Sequence, residues 1–192
     1  MLKKIIETPY SFLSVQPFEN DTILPKCITE VIGKLLHHPK IIIYGKIAHQ
    51  RRDIGFFSNE SIGYHYSGQL AKSQPLTPTL HDLLKLVNTI YNAEFNGILV
   101  NRYENGNDYI GAHSDDENNL DNVGVVAISY GAMRTLRIRD KITKKIVQDV
   151  PMTSCQLLNM GGKFQKEFTH EIPIDKKIKE TRYSFTFRKH LI

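Results

Sequence analysis

His113 and Asp115 stand two residues apart in the stretch Asn101–Glu117, NRYENGNDYIGAHSDDE. Side chains alternate along an extended segment, so an imidazole and a carboxylate at i and i+2 point to one side. They can offer two ligands to one metal ion. Asp116 and Glu117 follow directly, and the apolar run Gly97–Tyr103 leads in through a Gly/Asn-rich turn. In a chain with eight histidines such a pair also arises by chance, so the specificity must come from other residues.

A second constellation lies near the C-terminus, in Arg182-Tyr-Ser-Phe-Thr-Phe-Arg188. Tyr183, Phe185 and Phe187 share one face of an extended segment; Arg182, Ser184, Thr186 and Arg188 share the other. Two environments fit this alternation. On an outer strand the arginines are solvated and carry no chemistry. Inside a barrel, guanidinium groups on Cα atoms roughly 20 Å apart can close on a short dicarboxylate. Each guanidinium then binds one carboxylate through two hydrogen bonds.

The bulk properties limit what kind of protein carries these groups. A length of 192 residues suffices for one domain with a real core, and the 41% hydrophobic and 23% charged content is that of a globular protein. Two cysteines, Cys27 and Cys155, argue against a disulfide framework and for a reducing compartment. The N-terminal stretch lacks the apolar core of a signal peptide, and no run approaches the ~20 apolar residues of a membrane span. The expectation is a soluble intracellular protein. A net charge of +5 leans towards a polyanionic partner. Positive charge gathers in Lys46–Arg52, Arg134–Lys145 and Lys176–Lys179, around an acidic stretch at Glu104–Asp121. On charge alone, three solvated surface patches account for this distribution equally well.

Helical periodicity marks residues 22–36 and, behind a Pro/Thr-rich loop at 74–79 that ends in a capping signal, the region 80–91. Short apolar runs predict strands at 40–44, 54–58 and 62–67. From residue 97 onward the pattern is nearly all strand: 97–103, 122–130, 134–139, 145–150, 154–160, 164–170 and 181–189. Two helices followed by many strands indicate an α+β domain built on a β-sandwich or barrel.

Taken together, N-x-Y-x-x-G-x-D-x-x-x-x-H-x-D-D-E from Asn101, the later His170, and R-x-x-x-x-x-R from Arg182 resemble the AlkB family of Fe(II)/2-oxoglutarate dioxygenases. The resemblance runs from about Ile41 to Arg188 and is nearest the branch that repairs duplex DNA. It implies a double-stranded β-helix (jelly-roll) core with N-terminal helices and a nucleotide-recognition hairpin region. The whole chain would be one domain, with residues 1–95 as extension and recognition region and 96–192 as catalytic core.

By the same resemblance His113, Asp115 and His170 are the catalytic iron ligands. Two imidazoles and one carboxylate leave open positions for a bidentate oxo acid and O₂. Asn101, Tyr103, Arg182, Ser184, Thr186 and Arg188 would hold 2-oxoglutarate, although Ser184 stands where the family often has Asn. Tyr64-His-Tyr-Ser-Gly68 matches the segment that lines the base pocket, with Tyr66 stacking on a flipped base and Tyr64 nearby. Asp116 and Glu117 would favour a base carrying positive charge. Ile43 and Tyr44 match an apolar finger that fills the gap left by the base. Arg52, Lys176 and Lys177 match basic contacts, while Asp175 departs from the pattern and the 139–145 loop is short.

The implied activity is oxidative demethylation of N-alkylated bases of the 1-methyladenine and 3-methylcytosine type. It would use Fe(II), O₂ and 2-oxoglutarate, act on double- or single-stranded DNA or on RNA, and reside in a monomer of the nucleus or cytoplasm. The competing readings are a 2-oxoglutarate hydroxylase of a protein or small molecule, a non-catalytic nucleic-acid-binding module, and a zinc hydrolase. Arg182 and Arg188 have no place in the last.

Overall fold

A computed structural model of the chain describes residues 1–43, 45–66, 69–115 and 124–191, and of Ile43 the backbone alone. Expectations for Tyr44, Asp116, Glu117 and the Ile43 side chain lie outside the described residues. The strands, in chain order, are β1 (Lys3–Glu7), β2 (Ser11–Pro17), β3 (Lys40–Ile43), β4 (Lys46–His49), β5 (Asp53–Phe57), β6 (Gly63–Tyr66), β7 (Gln69–Lys72), β8 (Gly97–Tyr103), β9 (Ile110–His113), β10 (Val125–Gly131), β11 (Arg134–Asp140), β12 (Ile146–Met152), β13 (Gln156–Gly162), β14 (Phe168–Ile172) and β15 (Arg182–Arg188). Helix α1 covers Ile23–Val31, α2 Pro78–Tyr91, and the single turn α3 Phe164–Glu167.

Two sheets face each other. The larger runs β1-β2-β13-β10-β15-β8-β5 and the smaller β12-β11-β14-β9, while β3–β4 and β6–β7 form separate hairpins. This is the jelly-roll architecture, with α1 and α2 laid on the outer face of the larger sheet. Its central strands are therefore covered on both sides, which explains why they read as continuous apolar runs. On β10, Val126 and Ile128 join the helix-side core with Leu80, Leu83 and Val87. Val125 and Ala127 turn to the inter-sheet core with Leu136, Ile138 and Leu158.

The same two-sided burial settles β15. All seven of its residues are buried. Phe185 and Phe187 pack under the helices, and the polar face lines the space between the sheets. The arginines are internal.

Several elements differ from the sequence-based expectation. Residues 1–21 carry no strong periodicity, yet β1 and β2 extend the larger sheet through β2–β13 pairing. The larger sheet thus takes strands from both sides of residue 95. The α-helix expected to residue 36 tightens into a 3₁₀ turn at Ile32–Lys34, where Gly33 weakens the helix. The strand expected at 164–170 begins instead as α3, because Phe164 and Phe168, four residues apart, pack ring to ring at 5.0 Å. β5 and β6, consecutive in the chain, pair apart: β5 with β8, and β6 with β7.

Gly106, in the turn between β8 and β9, is where backbone meets backbone. Its N–H donates to the Ile178 carbonyl, and its own carbonyl accepts from Asp175 N–H, both at 2.9 Å. A Cβ there would run into the Asp175 carbonyl oxygen. Gly106→Ala should cost roughly 1–3 kcal/mol, the range for overpacking a rigid contact. A lowered urea midpoint at unchanged m-value would show it; an unchanged midpoint would mean the two loops part easily.

Candidate active site

The smaller sheet sets the position of the imidazoles. In the β9–β14 ladder His113 pairs directly with His170, and their rings lie 4.3 Å apart between centroids. Asp115 follows β9 after one residue. Its backbone N–H donates to Gln165 Oε1 at 2.9 Å, and Ser114 Oγ donates to the Phe168 carbonyl at 2.9 Å. These bonds tether the segment to α3 and β14. The donor atoms of His113, Asp115 and His170 all lie within 4.8 Å of one another.

This donor set fits a metal. His113 Nδ1–H donates to the Gly111 carbonyl at 2.9 Å, which leaves Nε2 with its lone pair. His170 Nε2 faces Asp115 Oδ2 at 3.5 Å. Burial, and then the charge of His170, push the His113 imidazolium down to about 3. Burial likewise lowers His170. For Asp115 burial works upward, but Arg188, followed by the two imidazoles, outweighs it and brings the carboxyl to about 2. At neutral pH both rings are neutral and the carboxylate is charged, the states in which each can ligate.

The larger sheet supplies the other wall. In the β8–β15 ladder Tyr103 pairs with Arg182 and Asn101 with Ser184, so all six residues expected to hold the oxo acid lie along one surface. Asn101, Tyr103, Arg182, Ser184, Thr186 and Arg188 line the same cavity as the triad. Arg182 Nη2 donates to Ser129 Oγ at 2.8 Å, while its Nε has no partner among the described residues. A buried guanidinium with an unfilled donor is costly unless an anion completes it. The two arginines are not equivalent, however. Arg188 Nη2 donates to Asp115 Oδ1 at 3.2 Å, and its guanidinium lies 4.7 Å over the Tyr64 ring. Arg188 is thus tied to Asp115, whereas Arg182 is held by Ser129 and lies 5.3 Å from the Tyr103 ring centroid.

An aromatic row reaches the triad from the β6–β7 hairpin. Tyr64 and Tyr66 stack at 6.1 Å, and Tyr66 meets His113 edge-on at 5.9 Å. Arg52, which the resemblance matches to a basic contact, is only 2% exposed. Its Nε donates to Asn101 Oδ1 at 2.8 Å, and its guanidinium lies 5.1 Å from the Tyr66 ring centroid. Arg134 is also internal, donating to the carbonyls of Asn105, Asp108 and Pro173. The basic stretches are accordingly less positive outside than in sequence. Lys176 and Lys177 are exposed on the β14–β15 loop, and β3–β4 is a hairpin turning at Gly45, φ +75°, with Ile42 and Ile47 exposed. Gln165 and Ser129, which hold Asp115 and Arg182, carry no signal in the sequence.

The depressed imidazoles have a consequence for the metal-free protein. Below about pH 6.5 the unfolded chain takes up protons on His113 and His170 that the folded chain refuses, so stability falls as pH falls. One such group contributes a slope of about 1.4 kcal/mol per pH unit. Denaturant midpoints between pH 7 and 4.5 should fall, and should fall less in His113→Gln. An identical slope in the variant would refute the assignment of burial as the cause.

Comparison with known proteins agrees with this geometry. The pattern of the 2OG-Fe(II) oxygenase superfamily matches residues 33–188. The chain is 29% identical over 161 residues to human DNA oxidative demethylase ALKBH2, covering 80% of this chain and 62% of that protein. It is 31% identical over 160 residues to the mouse ALKBH2 protein, covering 79% and 67%. The chain thus spans about three-fifths of the length of the human relative. The solved structure of OsALKBH1 superposes with a TM-score of 0.60 at 16% identity, covering 98% of this chain and all of that one, a likeness of fold. Matched over most of its length, the chain belongs to the 2OG-Fe(II) oxygenase superfamily and, within it, to the AlkB family.

Proposed function

We propose that this protein is an Fe(II)/2-oxoglutarate-dependent dioxygenase that removes N-alkyl groups from nucleic-acid bases, of the 1-methyladenine and 3-methylcytosine type. One observation carries the reading. The two-His, one-carboxylate cluster, a buried arginine and a pair of stacked tyrosines converge on one cavity or its rim. A protein that only bound nucleic acid would have no use for the first two.

When bound, Fe(II), 2-oxoglutarate and O₂ supply the oxidising power that hydroxylates an N-methyl carbon, after which formaldehyde leaves and the base is restored. The chain's own residues do the rest. His113, Asp115 and His170 hold the metal, with Arg188 keeping the carboxylate ionised. Arg182, backed by Ser129, receives the distal carboxylate of the oxo acid. Asn101, Tyr103, Ser184 and Thr186 complete its surroundings, and Arg52 fixes the Asn101 amide. Tyr66 and Tyr64 replace the stacking that an extruded base loses. Asp116 and Glu117 favour a cationic lesion, which is why methylated adenine and cytosine are the proposed substrates. Ile43 and Tyr44 would fill the vacated step, and Lys176 and Lys177 would meet phosphates. The two parts of the chain, 1–95 and 96–192, act as one catalytic unit. We place it inside the cell as a monomer on DNA or RNA; among the described residues no helix is long and apolar enough to cross a membrane.

Formaldehyde should be released from N1-methyladenine oligonucleotides in proportion to the 2-oxoglutarate consumed. Succinate without demethylation would instead point to a protein or small-molecule hydroxylase. His113→Ala and Asp115→Ala should abolish turnover, by 10³-fold or more on the order of what loss of an essential group costs, while salt-sensitive oligonucleotide binding persists. Near-normal demethylation in either variant would remove the metal assignment. Arg182→Ala should mainly raise the 2-oxoglutarate concentration needed for half-maximal rate.

A further inference from the structure

Ser114 and Asp115 lie beyond the last rung of the β9–β14 ladder, where His113 pairs with His170. Among the described residues, the main chain that carries the ligating carboxylate therefore has no strand partner. The side chain is also under tension between two groups. Arg188 Nη2 donates to Asp115 Oδ1 at 3.2 Å, while Oδ2 must stay near His170 Nε2, 3.5 Å away. Something other than the ladder has to fix the backbone.

Two side-chain hydrogen bonds are available for this. Ser114 Oγ donates to the Phe168 carbonyl, and Gln165 Oε1 accepts from Asp115 N–H, each at 2.9 Å. Water could satisfy that N–H equally well, but it could not fix its position. Gln165 is itself held at both ends. Its carbonyl accepts from Lys141 Nζ at 3.0 Å, and its Nε2 donates to the sulfur of Met160, a cavity-lining residue, at 3.6 Å. The turn around it is anchored as well. The Glu167 carboxylate accepts from the Thr8 hydroxyl, and the Glu167 carbonyl accepts from Lys141 N–H, both at 2.9 Å. The β1–β2 turn, the β11–β12 turn and α3 thus combine to place one amide oxygen.

We infer that Gln165 is a positioning residue of the metal site, holding the main chain of Asp115 so that its carboxylate stays turned towards the two imidazoles. The inference rests on the reading of His113, Asp115 and His170 as metal ligands. Gln165 stands behind the cavity wall rather than in it, so its effect reaches the metal through Asp115. Ligating carboxylates depend on such outer partners for their orientation, and a site loses affinity when its ligands loosen.

Calorimetric titration of Co(II) into the full metal-free chain tests this. The unaltered chain should take up one equivalent. Gln165→Leu removes the acceptor at similar bulk and should weaken uptake roughly 10- to 100-fold, the range for losing an outer partner of a metal ligand. Gln165→Glu keeps the acceptor and loses only the donor to Met160, so it should retain uptake. Gln165 is half-buried, so the melting temperature of the metal-free Gln165→Leu chain should move by only a few degrees. Gln165→Asn, one methylene too short to reach, should show the same loss of uptake and serves if the leucine variant does not fold. Undiminished uptake in Gln165→Leu or Gln165→Asn would overturn the proposal. Equal weakening in Gln165→Leu and Gln165→Glu would do so too, because packing rather than the acceptor would then be the cause. No uptake by the unaltered chain would remove the metal assignment itself, and this inference with it.

Discussion

The contact between Arg188 and Asp115 joins the two halves of the molecule at their most polar point. Arg188 belongs to the larger sheet and Asp115 to the segment leaving the smaller one. Both groups are withdrawn from water, at 1% and 5% exposure. A carboxylate buried so deeply would be driven towards its neutral form were the guanidinium absent. The pair keeps the carboxylate charged, holds the sheets at a fixed distance and aims the second oxygen towards His170. Metal geometry and sheet packing are therefore one constraint.

Around that pair the sandwich separates its tasks by face. Side chains of β15 alternate between the helix-side core and the inter-sheet cavity, so each phenylalanine that anchors the strand also fixes the polar neighbour beside it. The ladder then hands Arg182 to Tyr103 and Ser184 to Asn101, which aligns that polar wall without any loop having to fold onto it. The opposite wall is set by the pairing of His113 with His170. Groups carried by paired strands are held more rigidly than groups on loops, and a site assembled from two facing sheets gains from that rigidity.

The side that carries the two hairpins is built differently. Its two hairpins pair with neither sheet. They reach the cavity through the stacked tyrosines and through Arg52, which reaches Asn101 from the segment ahead of β5. That segment also borders Asp53, whose carboxylate accepts from Arg102 of β8, so the same few residues connect the hairpin root to the larger sheet.

Residue types and spacings by themselves determined the strand-rich second half, the alternation of β15, the i, i+2 pairing of His113 with Asp115, and the family these belong to. Those features are local or carried by motif, and survive reading one residue after another. What the sequence could not decide was which environment each face would meet. The β15 arginines suit solvent or an interior equally well, and only the covering helices and the opposing sheet make them internal. Arg52 and Arg134 read as surface charge because exposure is not written in a residue's identity; their carbonyl and amide partners lie tens of residues away. β1 and β2 went unread because their order comes from pairing with β13 rather than from their own periodicity. The contacts of Gln165 and Ser129 likewise exist only once distant segments are packed together. Long-range pairing sets burial, and burial decides whether a polar group is solvated, structural or chemically active.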